Sequence, residues 1–141
     1  MNYLGHLSVG FVVMLVSLTL LGILGFVTIS YESIFIYFGI WFIYSLLPDI
    51  DHKNSKITWL FIGIGIIGVL AGSAMKENYI VYSSVVLLLL TYLIAEFLPH
   101  RGPTHTYWFS LLLAVPLYFL FGWPEALVGF LCYSSHLVSD M

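Results

Sequence analysis

The chain is poor in charge. Of its 141 residues, four are Lys or Arg and seven are Asp or Glu, 8% in all, where a soluble domain carries about 25%. So few charged groups cannot cover the surface of a globule this small, which excludes a soluble monomer and a disordered tail. Four basic residues also exclude a nucleic-acid footprint of the usual kind, so no nucleic-acid partner is expected. There is one cysteine, Cys132. It rules out an intrachain disulfide, a secreted disulfide scaffold and a Cys-based zinc site, and in its apolar run it reads as a small core residue. No basic stretch precedes the first apolar run in Met1-Asn2-Tyr3-Leu4-Gly5-His6, so a retained anchor is expected rather than a cleaved signal peptide. The sequence holds neither a phosphate-cradling glycine loop nor a nucleophile elbow.

What the chain has is apolar surface. Hydrophobic residues make up 61% of it and aromatic residues 18%, and its mean hydropathy is +1.04. A helix needs about 20 apolar residues to cross a bilayer. Leu7–Ile29, Ile34–Leu47 (extended back to Tyr31), Ile57–Met75, Tyr79–Leu98 and Thr106–Phe121 meet or approach that length, the last kinked at Pro116. Glu125 to about Val138, tilted or only partly inserted, makes a sixth. Helix is the form in which every backbone polar group is satisfied internally in lipid. The reading is therefore an all-α, polytopic transmembrane bundle of five to six helices, with residues 1–141 as a single transmembrane domain. Tyr31, Trp59, Tyr79, Trp108 and Trp123 read as interfacial belt residues, and the glycines of the third helix allow close helix contact.

Threading these spans through a membrane puts every histidine on one face: His6, His52, His100, His105 and His136. All three aspartates, Asp49, Asp51 and Asp140, fall there too. Lys53, Lys56 and Arg101 share that face and only Lys76 lies opposite, so the positive-inside rule makes the His/Asp face cytoplasmic. The expected location is the inner (cytoplasmic) membrane, with membrane lipid as partner. The two Leu-Pro steps, Leu47-Pro48 and Leu98-Pro99, each lead into a polar loop and another helix, a faint internal repeat.

The polar residues fall into short clusters. His136 and Asp140 are spaced i, i+4, which on a continuing helix sets both on one face, suited to two ligands of one metal or to a His oriented by a carboxylate. Asp49-Ile50-Asp51-His52 follows the helix-stopping Pro48; an extended stretch would point Asp49 and Asp51 the same way and His52 the other, and paired carboxylates call for a cation between them. In His100-Arg101-Gly102-Pro103-Thr104-His105, Gly102-Pro103 makes a turn and Thr104 is the expected N-cap of the next helix. That places His105 in the first helical turn, where the helix dipole favours the neutral, ligating ring. The same helix start with Arg101 would suit a phosphate or other oxyanion. Glu96 lies one turn before His100 inside a span, with His100 or Arg101 as its expected partner. The bland alternatives are an Asp-rich turn, solvated histidines and a snorkelling glutamate. A His/Asp donor set without Cys suits Zn, Mn or Fe; Zn or Mn is expected. Such a site activates water and polarises a carbonyl or phosphoryl oxygen.

In order along the chain, His6, Leu47-Pro48-Asp49-Ile50-Asp51-His52, His100-Arg101-Gly102-Pro103-Thr104-His105-Thr106 and His136-Leu137-Val138-Ser139-Asp140 resemble the YdjM-like (LexA-regulated) inner-membrane metal-dependent hydrolases. The resemblance spans nearly the whole chain. It implies His6, Asp49, Asp51, His52, His100, His105, His136 and Asp140 as metal-site residues. Asp51, His52, Glu96 and Arg101 are the candidate catalytic groups. It also leads us to expect further sequence after Met141. The function expected is metal-dependent hydrolysis of a lipid or phosphoester at the cytoplasmic membrane face. The competing readings are a metal transporter or sensor, which needs ligands along a path through the bilayer, and a non-catalytic membrane module with a structural metal.

Overall fold

A computed structural model describes residues 2–99 and 101–141. Among the described residues there are six α-helices and no strand: α1 Tyr3–Ile23, α2 Tyr31–Leu46, α3 Lys56–Met75, α4 Asn78–Phe97, α5 Tyr107–Leu120 and α6 Trp123–Ser139. Four stretches are long and apolar enough to cross a membrane: Tyr3–Ile23, Tyr31–Asp51, Lys56–Met75 and Asn78–Phe97.

Local chemistry sets where each helix starts and stops. Asn2 caps α1, its side chain accepting from Gly5 N at 2.9 Å. The helix ends six residues before the expected Ile29 because Gly25 takes a left-handed φ of +77°. Gly25 N then donates to Gly22 O at 3.1 Å and Phe26 N to Leu21 O at 2.9 Å, a Schellman closure that satisfies the last carbonyls. Ser30 opens α2 through a reciprocal capping box with Ser33. Pro48 follows, and the chain tightens into a 3-10 turn over Leu47–Asp51. Ser55 caps α3 through Thr58 N, and α4 stops two residues short of Pro99, where the residue before proline is pushed out of helical geometry.

The chain divides into two compact units. The first comprises Met1–Pro48 and Thr104–Met141 and holds α1, α2, α5 and α6. Helix α6 is its axis, packing against α1, α2 and α5, while α1 also packs against α2. Small residues let the other helices close on it: a Cβ on Gly129 would stand 2.4 Å from Leu117 Cδ1. Val128, Cys132, Tyr133 and His136 of α6 are all fully buried. Cross-helix hydrogen bonds tie the remaining members, with Trp41 Nε1 donating to Leu7 O at 2.9 Å and Tyr44 Oη to Leu113 O at 2.7 Å. The latter carbonyl lies in the turn that Pro116 interrupts.

The second unit, Asp49–Pro103, is the hairpin of α3 and α4 packed on each other. Glycines of α3 make the contact. A Cβ on Gly65 would lie 2.5 Å from Leu88 Cγ, and one on Gly68 2.1 Å from Ser84 Oγ. Thr91 is the one residue of α4 that is buried. Leu89, Leu90 and Tyr92 on its outer side are exposed, as suits a helix facing lipid.

The hairpin contact yields a paired prediction. Gly65→Ala forces Leu88 to move and should cost about 1–3 kcal/mol, the usual penalty of overpacking. Gly63→Ala, with open space at its Cβ, should cost nothing. Thermal unfolding in detergent, read side by side, checks this; equal stability of the two variants would sink the close-packing account.

Candidate metal centre

Four donor side chains meet at one end of the first unit. His6 comes from the first turns of α1, His105 from the 3-10 turn Pro103–His105, and His136 and Asp140 from the end of α6. The expected i, i+4 relation holds although α6 stops at Ser139. Asp140 caps the helix with φ −98° and ψ −6°, near-helical values that keep its side chain over the last turn. His136 Nε2 and His105 Nε2 each lie 3.8 Å from Asp140 Oδ2, and His6 Nε2 lies 3.3 Å from Asp140 Oδ1.

His136 is the best defined of the four. It is fully buried, and its Nδ1 lies 2.8 Å from the carbonyl oxygen of Ser45. A carbonyl only accepts, so Nδ1 carries the hydrogen. In the neutral ring the lone pair therefore sits on Nε2, on the side of His105 and Asp140. Metal-ligating histidines are commonly oriented this way, by a backbone carbonyl on the far nitrogen. The close approach behind this bond depends on Gly10: a Cβ there would come within 2.0 Å of Ser45 Oγ. Cys132 Sγ, 3.7 Å from Gly10 O, fills the same crossing of α1, α2 and α6, the core role expected of it.

His6 stacks on His136 with ring centroids 3.7 Å apart and planes 13° from parallel. Its Nδ1 lies 3.1 Å from Ser139 Oγ. That hydroxyl donates to Ser135 O and His136 O at 2.7 and 3.0 Å, so it accepts from His6 Nδ1 and turns Nε2 toward Asp140. The turn bearing His105 is held by Tyr133, whose buried hydroxyl donates to Thr104 O. Burial alone would raise the Asp140 carboxyl, but the groups around it outweigh burial and hold it below the ordinary carboxylate range.

The donor atoms of His105, His136 and Asp140 all lie within 4.8 Å of one another. Ligands placed 2.0–2.2 Å from a tetrahedral zinc stand about 3.4 Å apart. The 3.8 Å separations are too long for hydrogen bonds and near the spacing that a shared cation imposes. Nitrogen and carboxylate donors with no thiolate suit a borderline divalent ion. This Asp/His cluster fits a metal ion. The whole chain, residues 1–141, also matches the family model described as YdjM inner membrane protein. The chain belongs to the YdjM family. No curated protein and no solved structure matches it.

The other candidate residues of this YdjM chain are placed differently. Thr104 does not cap α5; it is buried within the 3-10 turn, and Thr106 takes the cap, accepting from Phe109 N at 3.2 Å. His105 thus precedes α5, and its ring environment comes from the cluster rather than from a helix dipole. Asp49 and Asp51 lie on the 3-10 turn Leu47–Asp51, not on an extended stretch. At three residues per turn they do not share a face. Asp49 follows Pro48 directly. Asp51, in the second unit, is buried and accepts from Arg101 N at 3.1 Å, bracing a backbone whose φ of +62° is left-handed. His52 is exposed, and its Nδ1 accepts from Asn54 N at 3.2 Å. Glu96, expected to pair with His100 or Arg101, meets Lys53 at 3.5 Å, both exposed. His100 lies outside the described residues.

Ser45, Ser139, Tyr133 and Gly10 escape a reading of the sequence. Only Ser139, three residues beyond His136, carried a spacing signal. Ser45 acts through its backbone carbonyl, which any residue possesses. Gly10→Ala should displace Ser45, loosen His136 and weaken divalent-metal affinity about tenfold, the lower end of second-shell effects. Chelator-competition titration of Gly10→Ala beside Gly39→Ala, which has open space at its Cβ, checks this; equal affinities would refute the role given to the Ser45 carbonyl.

Proposed function

We propose that this YdjM protein is a metal-dependent hydrolase of the inner membrane that cleaves a lipid ester or phosphoester at the cytoplasmic face. The observation that carries the reading is the His136 ring: buried, fixed in one tautomer by Ser45 O, with its Nε2 beside His105 and Asp140. A hydrogen bond of that kind on the far nitrogen favours a ligating imidazole over a merely solvated one. Zn or Mn fits the donors.

A divalent ion held by His105, His136 and Asp140 would polarise the scissile carbonyl or phosphoryl oxygen and bring water into its reactive, deprotonated range. The chain's own groups do the rest. Asp140 offsets the cation's charge. His6, against Asp140 at 3.3 Å, is within reach to take the proton that water loses and return it to the departing alkoxide. One water is consumed: its oxygen bonds to the carbonyl carbon or phosphorus, the ester bond to the leaving oxygen breaks, and that oxygen leaves as an alcohol.

The reading predicts about one equivalent of metal per chain in detergent-purified protein, measured by elemental mass spectrometry. The metal should be lost in the His105→Ala/His136→Ala double variant. Release of acid from short-chain phospholipids should fall to background on chelation and return with Zn or Mn. Bound metal with no hydrolysis of carboxyl or phosphoryl esters would overturn the enzyme reading in favour of a structural metal.

A further inference from the structure

A groove of about 330 Å³ runs between α1 and α6 within the first unit, lined by Val9, Val13, Leu131, Ser134, Val138 and Ser139. We propose that it holds one hydrocarbon chain of a membrane lipid and delivers that lipid's ester or phosphoester to the His/Asp cluster. The delivery rests on the hydrolase reading above; the binding of the chain does not.

The first argument is continuity. Ser139, at one end of the groove, is the residue whose Oγ lies 3.1 Å from His6 Nδ1. The groove thus reaches a residue that contacts His6 of the cluster. The second is size. From Leu131 to Ser139, at 1.5 Å per residue, the groove follows α6 for about 12 Å, close to the roughly 15 Å depth of one leaflet's hydrocarbon.

The third argument is the lining. Ser135 Oγ turns back to Cys132 O at 2.7 Å and Ser139 Oγ to Ser135 O at 2.7 Å, so these serines spend their hydroxyls on their own helix and leave the wall apolar. Ser134 differs: its Oγ is buried and has no hydrogen-bond partner among the described residues. A donor left in an apolar wall is costly unless something accepts from it, and the acyl-ester carbonyl of a lipid whose phosphoester lies nearer the cluster is an acceptor of the right kind. Val138 is 60% exposed and Val9 38%, so the groove is open along its side, where lipid would enter from the bilayer.

Photolabelling of the full chain tests this. The protein is reconstituted in nanodiscs of phosphatidylethanolamine and phosphatidylglycerol, doped with a phosphatidylglycerol carrying a diazirine midway along one acyl chain. Labelled residues are then mapped by mass spectrometry. Label is expected on Val9, Val13, Leu131 and Val138 at about ten times the level on Val86 and Leu89 of α4, which are 53% and 55% exposed and report lipid that merely surrounds the protein. Val13→Trp, which fills the groove, should remove that excess; Ser134→Leu, a smaller change on the other wall, should do the same and serves if the tryptophan variant does not fold.

Even labelling of α1, α4 and α6 overturns the proposal, as does an excess that survives both substitutions. A disulfide between two copies through Val138→Cys that abolishes the label makes a second copy the occupant and overturns it as well. Metal content measured on the same samples separates the two readings: its absence overturns the hydrolase reading and with it the delivery, while selective, substitution-sensitive labelling supports the chain-binding groove regardless.

Discussion

The hydrogen bond from His136 to the carbonyl of Ser45 is the constraint on which the first unit turns. An imidazole fully buried in an apolar bundle is costly unless its polar atoms are answered. Here one nitrogen is answered by the backbone of α2, which locks α6 against α2 at a single rotation and height. Once that rotation is set, Asp140 is set too, one turn further along the same face. Ser139 then meets His6 of α1, and Tyr133 reaches the turn that carries His105. The same contact therefore specifies helix packing and donor geometry.

Such a bond requires backbones to approach closely, and the residues around it are small for that reason. Gly10, Ser45 and Cys132 form the crossing of α1, α2 and α6. In lipid there is little hydrophobic drive to bring helices together, so van der Waals contact and interhelical hydrogen bonds decide which faces meet. This explains why α6, the least apolar of the helices, is the axis. Its serines, glycine and cysteine would be a poor face to lipid but make a good one to three neighbouring helices. The hairpin of α3 and α4 uses the same device with Gly65 and Gly68, and leaves the outer side of α4 to lipid.

Much of the architecture was legible in the residues. Apolar runs separated by Pro, Gly and short polar loops define six helices because a chain in lipid has few other ways to satisfy its backbone. The boundaries were less so. The end of α1 is set by a left-handed Gly25 and not by the end of the apolar run, which continues to Ile29. In the cluster, His136 and Asp140 were readable from their spacing, and His6 and His105 from their place at helix mouths. The 3-10 geometry of Leu47–Asp51 was not, because Pro48 is compatible with both an extended and a tightened chain, and the choice depends on packing rather than on local propensity. Nor was the exchange of Thr104 for Thr106 as cap: two threonines two residues apart are equally good caps, and the buried Tyr133 hydroxyl that claims Thr104 lies on another helix.

The placement of the donors at helix ends has a physical logic of its own. Charged and metal-binding groups are expensive at the bilayer centre and cheap near its edge, yet the reactive bonds of a lipid also lie near that edge, just above its hydrocarbon chains. On the hydrolase reading proposed above, a cluster raised on the first turn of α1 and the last turn of α6 would meet those bonds at their natural depth. The apolar groove between the same two helices begins where the cluster ends, at Ser139. On this view the two helices divide one substrate between them: their polar ends address the bond to be cut, and their apolar walls register the chain attached to it. A soluble ester would gain nothing from the groove, and a lipid bound anywhere else on the bundle would present its ester away from His105 and His136.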